Sequence, residues 1–243
     1  EGARALSLWA ALQIDLAHNA QTEEEREEAD ELVGLLTPVI KGYFTDKGLE
    51  TAINAQQVYG GHGYVTEWGM EQYVRDARIA QIYEGTNGVQ AMDLVGRKLG
   101  RHGGKALMQF AKMMNDEIGE AKENEALKPL AEKLERAGGE LQAATMWLMQ
   151  NGMSNPNNAG AGAVPYMHLM GIVTLGLMWL KMAKAAQAKL ANGAAGDPFY
   201  EAKMITARYY MDRYLPDAGA LRRKLETGAE SMMALPVEMF ARA

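Results

Sequence analysis

Apolar residues recur at intervals of three and four along almost the whole chain, the spacing that places them on one face of an α-helix. The longest series lies in the second half, where a regular alternation of three and four is typical of a coiled-coil seam. Gly138 and Gly139 interrupt this series and would weaken an isolated helix. We therefore expect an antiparallel bundle, in which neighbouring helices support the seam. The seam residues are Leu127, Leu130, Leu134, Ala137, Leu141, Ala144 and Leu148.

Strand signals are nearly absent from the sequence. The best candidate is the stretch 64–66, which is too short to found a sheet. Runs of Gly, Asn and Ala predict connections over residues 100–104, 151–162 and 191–196. We predict an all-α fold with two parts, a helical domain over residues 1–100 and an additional helical bundle over residues 101–243.

One apolar stretch, residues 164–180, raises the question of a membrane span. Lys181 ends it short of the roughly 20 residues that a span needs, so we interpret it as a helix buried in the bundle. A further helix is predicted after Asp197, a good N-cap followed by Pro198. Pro216 closes that segment.

Charge and composition exclude several functional classes. The formal net charge is −6, which argues against a surface that neutralises nucleic-acid phosphates. The chain has no cysteine, and its 4 histidines lack metal-ligand spacing, so we expect no disulfide and no metal site. We interpret the acidic run 23–31 as the solvated first turn of a helix.

The most informative stretch begins at Gln57 and ends at Gln90. Its first element contains Gly60, Gly61 and Gly63, which would let the backbone approach a ligand closely. The pattern is not G-x-G-x-x-G and follows no long strand, so a turn between two helices explains it equally well.

Glu84 is the more specific candidate. Asn87 or Thr86 is a good N-cap for a following helix, with Gln90 placed as in a capping box. Glu84 would then lie just before the free backbone N–H groups of that helix, which could bind an oxyanion while the carboxylate acts as a base. On spacing alone, a capping or salt-bridged surface glutamate explains this residue better.

The order of three elements changes that balance. The elements are GG-x-G-Y, R-D-A-R-I and I-Y-E-G-T-N, and the chain around them, about residues 35–99, resembles the C-terminal helical domain of the acyl-CoA dehydrogenases. Residues 2–19 fit the helix that opens this domain. Beyond Arg101 the chain is similar in architecture and length to the extra C-terminal domain of longer bacterial members, which include the 3-methylmercaptopropionyl-CoA dehydrogenases.

The resemblance implies a reaction and a role for three residues. Glu84 matches the base that removes the α-proton of an acyl-CoA thioester, while the β-hydrogen leaves as hydride to FAD and trans-2-enoyl-CoA forms. Its backbone N–H would bind the thioester carbonyl. Gly85 would line the substrate, and Tyr83 would flank the acyl chain.

The resemblance also implies two contacts with FAD. Residues 86–88 match a stretch that contacts the FAD of the same subunit, although Gly88 replaces a larger residue common in the family. Arg75 and Asp76 are interpreted as a structural ion pair or helix feature rather than as catalytic. The own-subunit residues are Thr86, Asn87 and Gly88, and those facing the FAD of a neighbouring subunit are Gln57, Val58, Tyr59, Gly60 and Gly61.

The implied assembly is a homodimer or a dimer of dimers that passes electrons to an electron-transfer flavoprotein or similar acceptor. We expect the chain to be a cytoplasmic fragment of such an enzyme and to be inactive alone. Two alternatives stay open. One is a flavin-containing relative with a binding role such as DNA binding, against which the negative charge counts, and the other is an acyl-CoA oxidase.

Overall fold

The computed structural model describes residues 1–240, and this part of the chain is helical without any strand, which confirms the all-α prediction. Three short non-α segments join helices: 3₁₀ turns at Thr66–Trp68 and Arg101–Gly104, and a π-helical stretch at Leu94–Lys98. The helices are α1 Gly2–Asn19, α2 Glu23–Val58, α3 Gly61–Tyr64, α4 Met70–Ile79, α5 Asn87–Asp93, α6 Lys105–Lys122, α7 Lys128–Asn151, α8 Pro156–Ala191, α9 Pro198–Arg213, α10 Asp217–Glu226, α11 Glu230–Met233 and α12 Val237–Phe240.

The start of α2 explains most of the acidic run. Thr22 is the N-cap and forms a complete capping box with Glu25, so the interpretation as an acidic first turn is confirmed. Glu31, at the end of the run, behaves differently because it is buried. Its carboxylate lies 2.5 Å from Nδ1 of His102, in the predicted break at 100–104, where His102 has a φ of 48°.

The coiled-coil-like series forms the inner face of α7. All seven of its residues are buried, and the helix continues through both glycines. Gly138 faces the side chain of Met114, to which a Cβ would come within 2.8 Å, whereas a Cβ on Gly139 would meet open space. Packing against α6 therefore supports the helix, as the bundle prediction requires.

Helix α8 is longer than predicted. It begins at Pro156, capped by the side chain of Asn155, so most of the predicted connection 151–162 is helical and that prediction is wrong. The small residues there serve packing: a Cβ on Gly162 would lie 3.0 Å from Leu225 and 3.3 Å from Leu148. The other predicted connection near 191–196 is confirmed, because Asp197 caps α9 immediately after it.

The short candidate stretch 64–66 forms no strand, as its length predicts, because Tyr64 ends α3 and Thr66 begins a 3₁₀ turn. Among the described helices, α8 is the one long and apolar enough to cross a membrane, but 89% of its most apolar window is buried within the protein. The buried surface shows that α8 is the central helix of the bundle.

Helix α8 joins the two parts of the chain in one hydrophobic core. The core includes Leu36 and Leu94 from the first hundred residues together with Leu134 and Met170 from the rest. Helix α8 contacts α1, α2 and α5 as well as α6, α7, α9 and α10. The expected packing of the second part on the first is thus present, and the division at residue 100 stays a prediction.

Two glycines bring α2 and α8 unusually close together. A Cβ on Gly171 would lie 2.5 Å from Cγ of Tyr43, and a Cβ on Gly42 would lie 2.3 Å from Sδ of Met167. Real Cβ atoms do not approach other heavy atoms at such distances. The rigid ring of Tyr43 therefore requires glycine at position 171, whereas the flexible end of Met167 could move aside at position 42. The crossing places the middle of α2 directly against α8.

Candidate active site

Glu84 lies at the surface on the loop between α4 and α5, and its backbone is held in the left-handed region. Its φ is 53°, and Gly85 follows with a φ of 82°. Residues other than Gly, Asn or Asp rarely adopt this left-handed conformation, which costs such a residue about 1 kcal/mol or more. Such local strain often accompanies functional sites. The loop thus presents the carboxylate of Glu84 to solvent at an enforced backbone geometry.

Hydrogen bonds close this loop on both sides of Glu84. The amide of Tyr83 donates to the carbonyl of Ile79 at 3.1 Å, and the amide of Asn87 donates to the carbonyl of Gln81 at 3.2 Å. The side-chain amide of Gln90 donates to the carbonyl of Glu84 itself at 3.2 Å. The backbone around the carboxylate is therefore fixed, although the carboxylate is exposed.

The predicted capping arrangement of α5 is only partly present. Thr86 is the N-cap, but its side chain makes no capping hydrogen bond, and Gln90 bonds to Glu84 rather than closing a capping box with Asn87. The side chain of Asn87 instead points into α2. Its Nδ2 donates to the carbonyl of Gly42 at 3.0 Å and to Asp46 at 2.6 Å.

Asp46 is the centre of this polar cluster on α2. Its Oδ1 accepts from the side-chain amides of Asn87 at 2.6 Å and Gln81 at 2.7 Å. Its Oδ2 lies 2.8 Å from Nε2 of His168 on α8. Burial opposes ionisation of Asp46, but the hydrogen bonds from His168, Asn87 and Gln81 outweigh it and hold the pKa of this carboxyl below its usual value. Asp46 is therefore an ionised acceptor.

Asp46→Asn is expected to lower the free energy of unfolding at neutral pH, by an amount that shrinks on acidification. Because the folded-state pKa is lowered, the stabilisation is complete above the ordinary carboxyl pKa of about 3.9 and is lost as the pH falls through the lowered value. Urea unfolding from neutral pH to about pH 3 measures this difference. The control is Asp15→Asn on the exposed face of α1. A difference between Asp46→Asn and wild type that stays constant or widens at low pH contradicts the prediction.

The glycine-rich element follows the end of α2. The backbone of Gly60 has a φ of 59°, and neither Gly60 nor Gly61 has any atom within 4 Å of an added Cβ. Gly63, by contrast, is buried against the carbonyl of Gln56, 2.3 Å from an added Cβ. Two of the three glycines thus leave an open backbone surface, and the third serves the turn. All five residues predicted to face a neighbouring FAD are exposed: Gln57, Val58, Tyr59, Gly60 and Gly61.

The Glu84 loop and the glycine-rich element both contact α2, but at different positions along its axis. The Glu84 loop is fixed to Asp46, and α2 ends at Val58, just before the glycine-rich element, 12 residues after Asp46 or about 18 Å along the helix axis. A separation of this size is compatible with contacts to two different FAD molecules. The structure does not bring the two regions into one pocket.

Three further features of residues 1–240 bear on the site. Arg75 forms a structural ion pair within α4, as interpreted, but its partner is Glu71, whose Oε2 lies 2.7 Å from Nε of Arg75, rather than Asp76. Neighbouring residues on a helix point in different directions, whereas residues four apart share a face. Within residues 1–240 no group of three or more His, Asp or Glu side chains could hold a metal ion. Sequence reasoning missed Asp46 and His168, whose partners are distant in the sequence.

Comparison with known proteins assigns both parts of the chain to one class of protein. Residues 3–99 match the family model described as acyl-CoA dehydrogenase, C-terminal domain. Residues 110–236 match the model described as acetyl-CoA dehydrogenase C-terminal like. An all-helical chain with these two matches belongs to the acyl-CoA dehydrogenase family.

Two curated relatives extend this assignment along the chain. The 3-methylmercaptopropionyl-CoA dehydrogenase of Ruegeria pomeroyi is 36% identical over 96% of this chain and 40% of its own length. The broad-specificity linear acyl-CoA dehydrogenase FadE5 of Mycobacterium tuberculosis is 31% identical over 99% of this chain and 41% of its own length. The chain therefore spans about two fifths of the length of these relatives.

A solved structure shares the fold. The crystal structure of Caenorhabditis elegans ACDH-11 in complex with C11-CoA superposes with a TM-score of 0.74 at 20% identity, over 95% of this chain and 37% of that one. The match covers both the first helices and the additional bundle, so their arrangement recurs in a distant protein.

Proposed function

We propose that this chain is the C-terminal part of a flavin-dependent acyl-CoA dehydrogenase, in which Glu84 is the base. The observation that carries the proposal is the fixed, left-handed Glu84–Gly85 loop in a chain of this family. The reaction is the α,β-dehydrogenation of an acyl-CoA thioester to trans-2-enoyl-CoA. The named activities of two relatives support a thioester substrate.

Glu84 acts on a carbon acid that is too weak for an ordinary carboxylate in water. The backbone N–H of Glu84 donates to the thioester carbonyl and so stabilises the charge that develops when the α-proton moves to the side chain. Gly85 has no side chain to obstruct the substrate, and Tyr83 is half-exposed beside it, where it contacts the acyl chain. A closed site would raise the pKa of the base by removing water.

The residues present fit an FAD cofactor. Gly60, Gly61 and Gly88 each leave open space where a Cβ would stand, so a flat or phosphorylated group can approach the backbone. Gln57, Val58 and Tyr59 complete the surface facing a neighbouring FAD, and Thr86 and Asn87 complete the surface facing the FAD of the same subunit. FAD, when bound, supplies the acceptor for the hydride that leaves the β-carbon. Asn87 contributes through its backbone, because its side chain is occupied by α2.

The exposure of Glu84 bears on the isolated chain. Proton abstraction from a thioester requires a site without bulk water, and the carboxylate of Glu84 is open to solvent. We therefore propose that the chain alone is inactive and that other parts of the enzyme cover this loop. The proposed assembly is a cytoplasmic homodimer or dimer of dimers that passes electrons to an electron-transfer flavoprotein or a similar acceptor.

The test uses a full-length flavoprotein that carries this chain. Acyl-CoA thioesters of different chain lengths are added without oxygen, while the visible band of the oxidised flavin and the formation of trans-2-enoyl-CoA are followed. We expect at least one thioester to bleach the flavin and to yield one enoyl product per flavin. Peroxide formation on admitting air would indicate an oxidase, and a flavin that no thioester bleaches would contradict the proposal.

A further inference from the structure

His168 lies on α8 in the additional bundle, yet it is connected to the Glu84 loop through a single residue. Nε2 of His168 is 2.8 Å from Oδ2 of Asp46, and both side chains are about three-quarters buried. The ring of His168 also packs edge-on against Tyr43 at a centroid distance of 5.3 Å. The imidazole is thus held from two sides by α2.

Asp46 in turn holds the residues that flank the loop. Its Oδ1 accepts from Gln81, which lies before Glu84, and from Asn87, which lies after it. The same two residues are joined by the hydrogen bond between the Asn87 amide and the Gln81 carbonyl. One carboxylate oxygen therefore closes the base of the loop that carries Glu84.

The orientation of that carboxylate depends on its second oxygen. A carboxylate bound at one oxygen alone can rotate about its χ2 torsion, which is broad for Asp. The hydrogen bond from His168 fixes Oδ2 and so fixes where Oδ1 points. Because α8 crosses α2 closely at Gly42 and Gly171, His168 has little freedom to follow a moving partner.

We infer that His168 is a positioning residue for Glu84, through which the additional bundle aligns the proposed base. The inference rests on the proposed function of Glu84. His168 acts through Asp46 and then through Gln81 and Asn87, and it touches neither substrate nor cofactor in this scheme. The bundle formed by α6 to α10 would then contribute to the rate of proton abstraction as well as to stability.

The test compares two replacements of His168 in the full-length flavoprotein. His168→Leu removes the hydrogen-bond donor, and His168→Gln retains an N–H donor that can reach Asp46. We expect His168→Leu to slow flavin reduction by saturating thioester roughly tenfold or more, since small displacements of a base have large effects on rate. The dissociation constant for the thioester should stay within about twofold, and His168→Gln should recover most of the rate.

Two controls separate positioning from loss of stability. Leu177→Ala on the same helix removes a fully buried side chain outside this network, so it lowers stability and should leave the reduction rate unchanged. Asp46→Asn combined with His168→Leu should be no slower than Asp46→Asn alone, because His168 acts only through Asp46. A slow Leu177→Ala variant or additive rate losses would overturn the inference.

Hydrogen exchange tests the effect of His168 on the Glu84 loop without using the proposed reaction. In His168→Leu the backbone amides of residues 82–90 should exchange faster than in wild type, while those of α7 stay unchanged. Unchanged exchange in this segment overturns the inference whatever the activity. Faster exchange with an unchanged reduction rate also overturns it. If no thioester reduces the wild-type flavin, the proposed function fails, and the positioning of a base fails with it.

Discussion

Glu84→Gln is expected to slow flavin reduction by acyl-CoA about a thousandfold or more in the full-length protein, the scale of a general base. Glutamine keeps the size of the side chain and the backbone N–H of residue 84, but it cannot accept the α-proton. The left-handed φ at this position is equally available to both residues, so the loop geometry should persist. Single-turnover mixing with a saturating thioester measures the effect.

The matched control for this variant is Glu67→Gln, another exposed glutamate of the same domain that lies outside the loop. It should reduce flavin at the wild-type rate. Both variants should bind flavin and thioester as the wild type does, because neither loses a backbone contact. If Glu84→Gln is folded, retains its flavin and is reduced as fast as wild type, Glu84 is not the base.

Gly171→Ala is expected to destabilise the chain by about 2 to 3 kcal/mol, the upper part of the range for overpacking a core. The added Cβ would lie 2.5 Å from Cγ of Tyr43 and 2.6 Å from Cδ1, and the tyrosine ring is rigid and 2% exposed. Neither helix can withdraw without disturbing the crossing of α2 and α8. Urea unfolding of the 243-residue chain gives the change as a shift of the transition midpoint.

Gly139→Ala is the matched control, because it makes the same chemical change on an open helix face. No atom lies within 4 Å of an added Cβ there, so the variant should be stabilised by about 0.5 to 1 kcal/mol through the lower entropy of the unfolded chain. The two variants should therefore shift the midpoint in opposite directions. Equal shifts would show that the close approach at Gly171 relaxes without cost.

Local patterns in the sequence predicted the features that neighbouring residues determine. The series from Leu127 to Leu148 predicted the buried face of α7, and the acidic run 23–31 predicted the first turn of α2. The composition of residues 151–162 misled, because small residues favour a loop locally but here allow close packing under Leu225. The outcome at that segment depends on contacts that a local pattern cannot contain.

The sequence could not predict the polar cluster around Asp46 for the same reason, because its partners are distant in the sequence. Asn87 is a good capping residue by type, but acceptors more than 40 residues away on α2 take its side chain. Asp46 and His168 are separated by 122 residues, and each alone is an ordinary polar residue on a helix. Glu84 itself was found through the order of three motifs, while its local spacing favoured a surface role.

The shared core has a consequence during synthesis on the ribosome. His168 follows Asp46 by 122 residues, so at about 5 to 20 residues per second α8 emerges on the order of ten seconds after the segment of α2 it covers. Through that interval the apolar face of α2 around Leu36 and Tyr43 lacks its permanent partner. Until α8 arrives, this apolar surface makes the nascent chain prone to aggregation, and the late helix then completes the folding of the part that was made first.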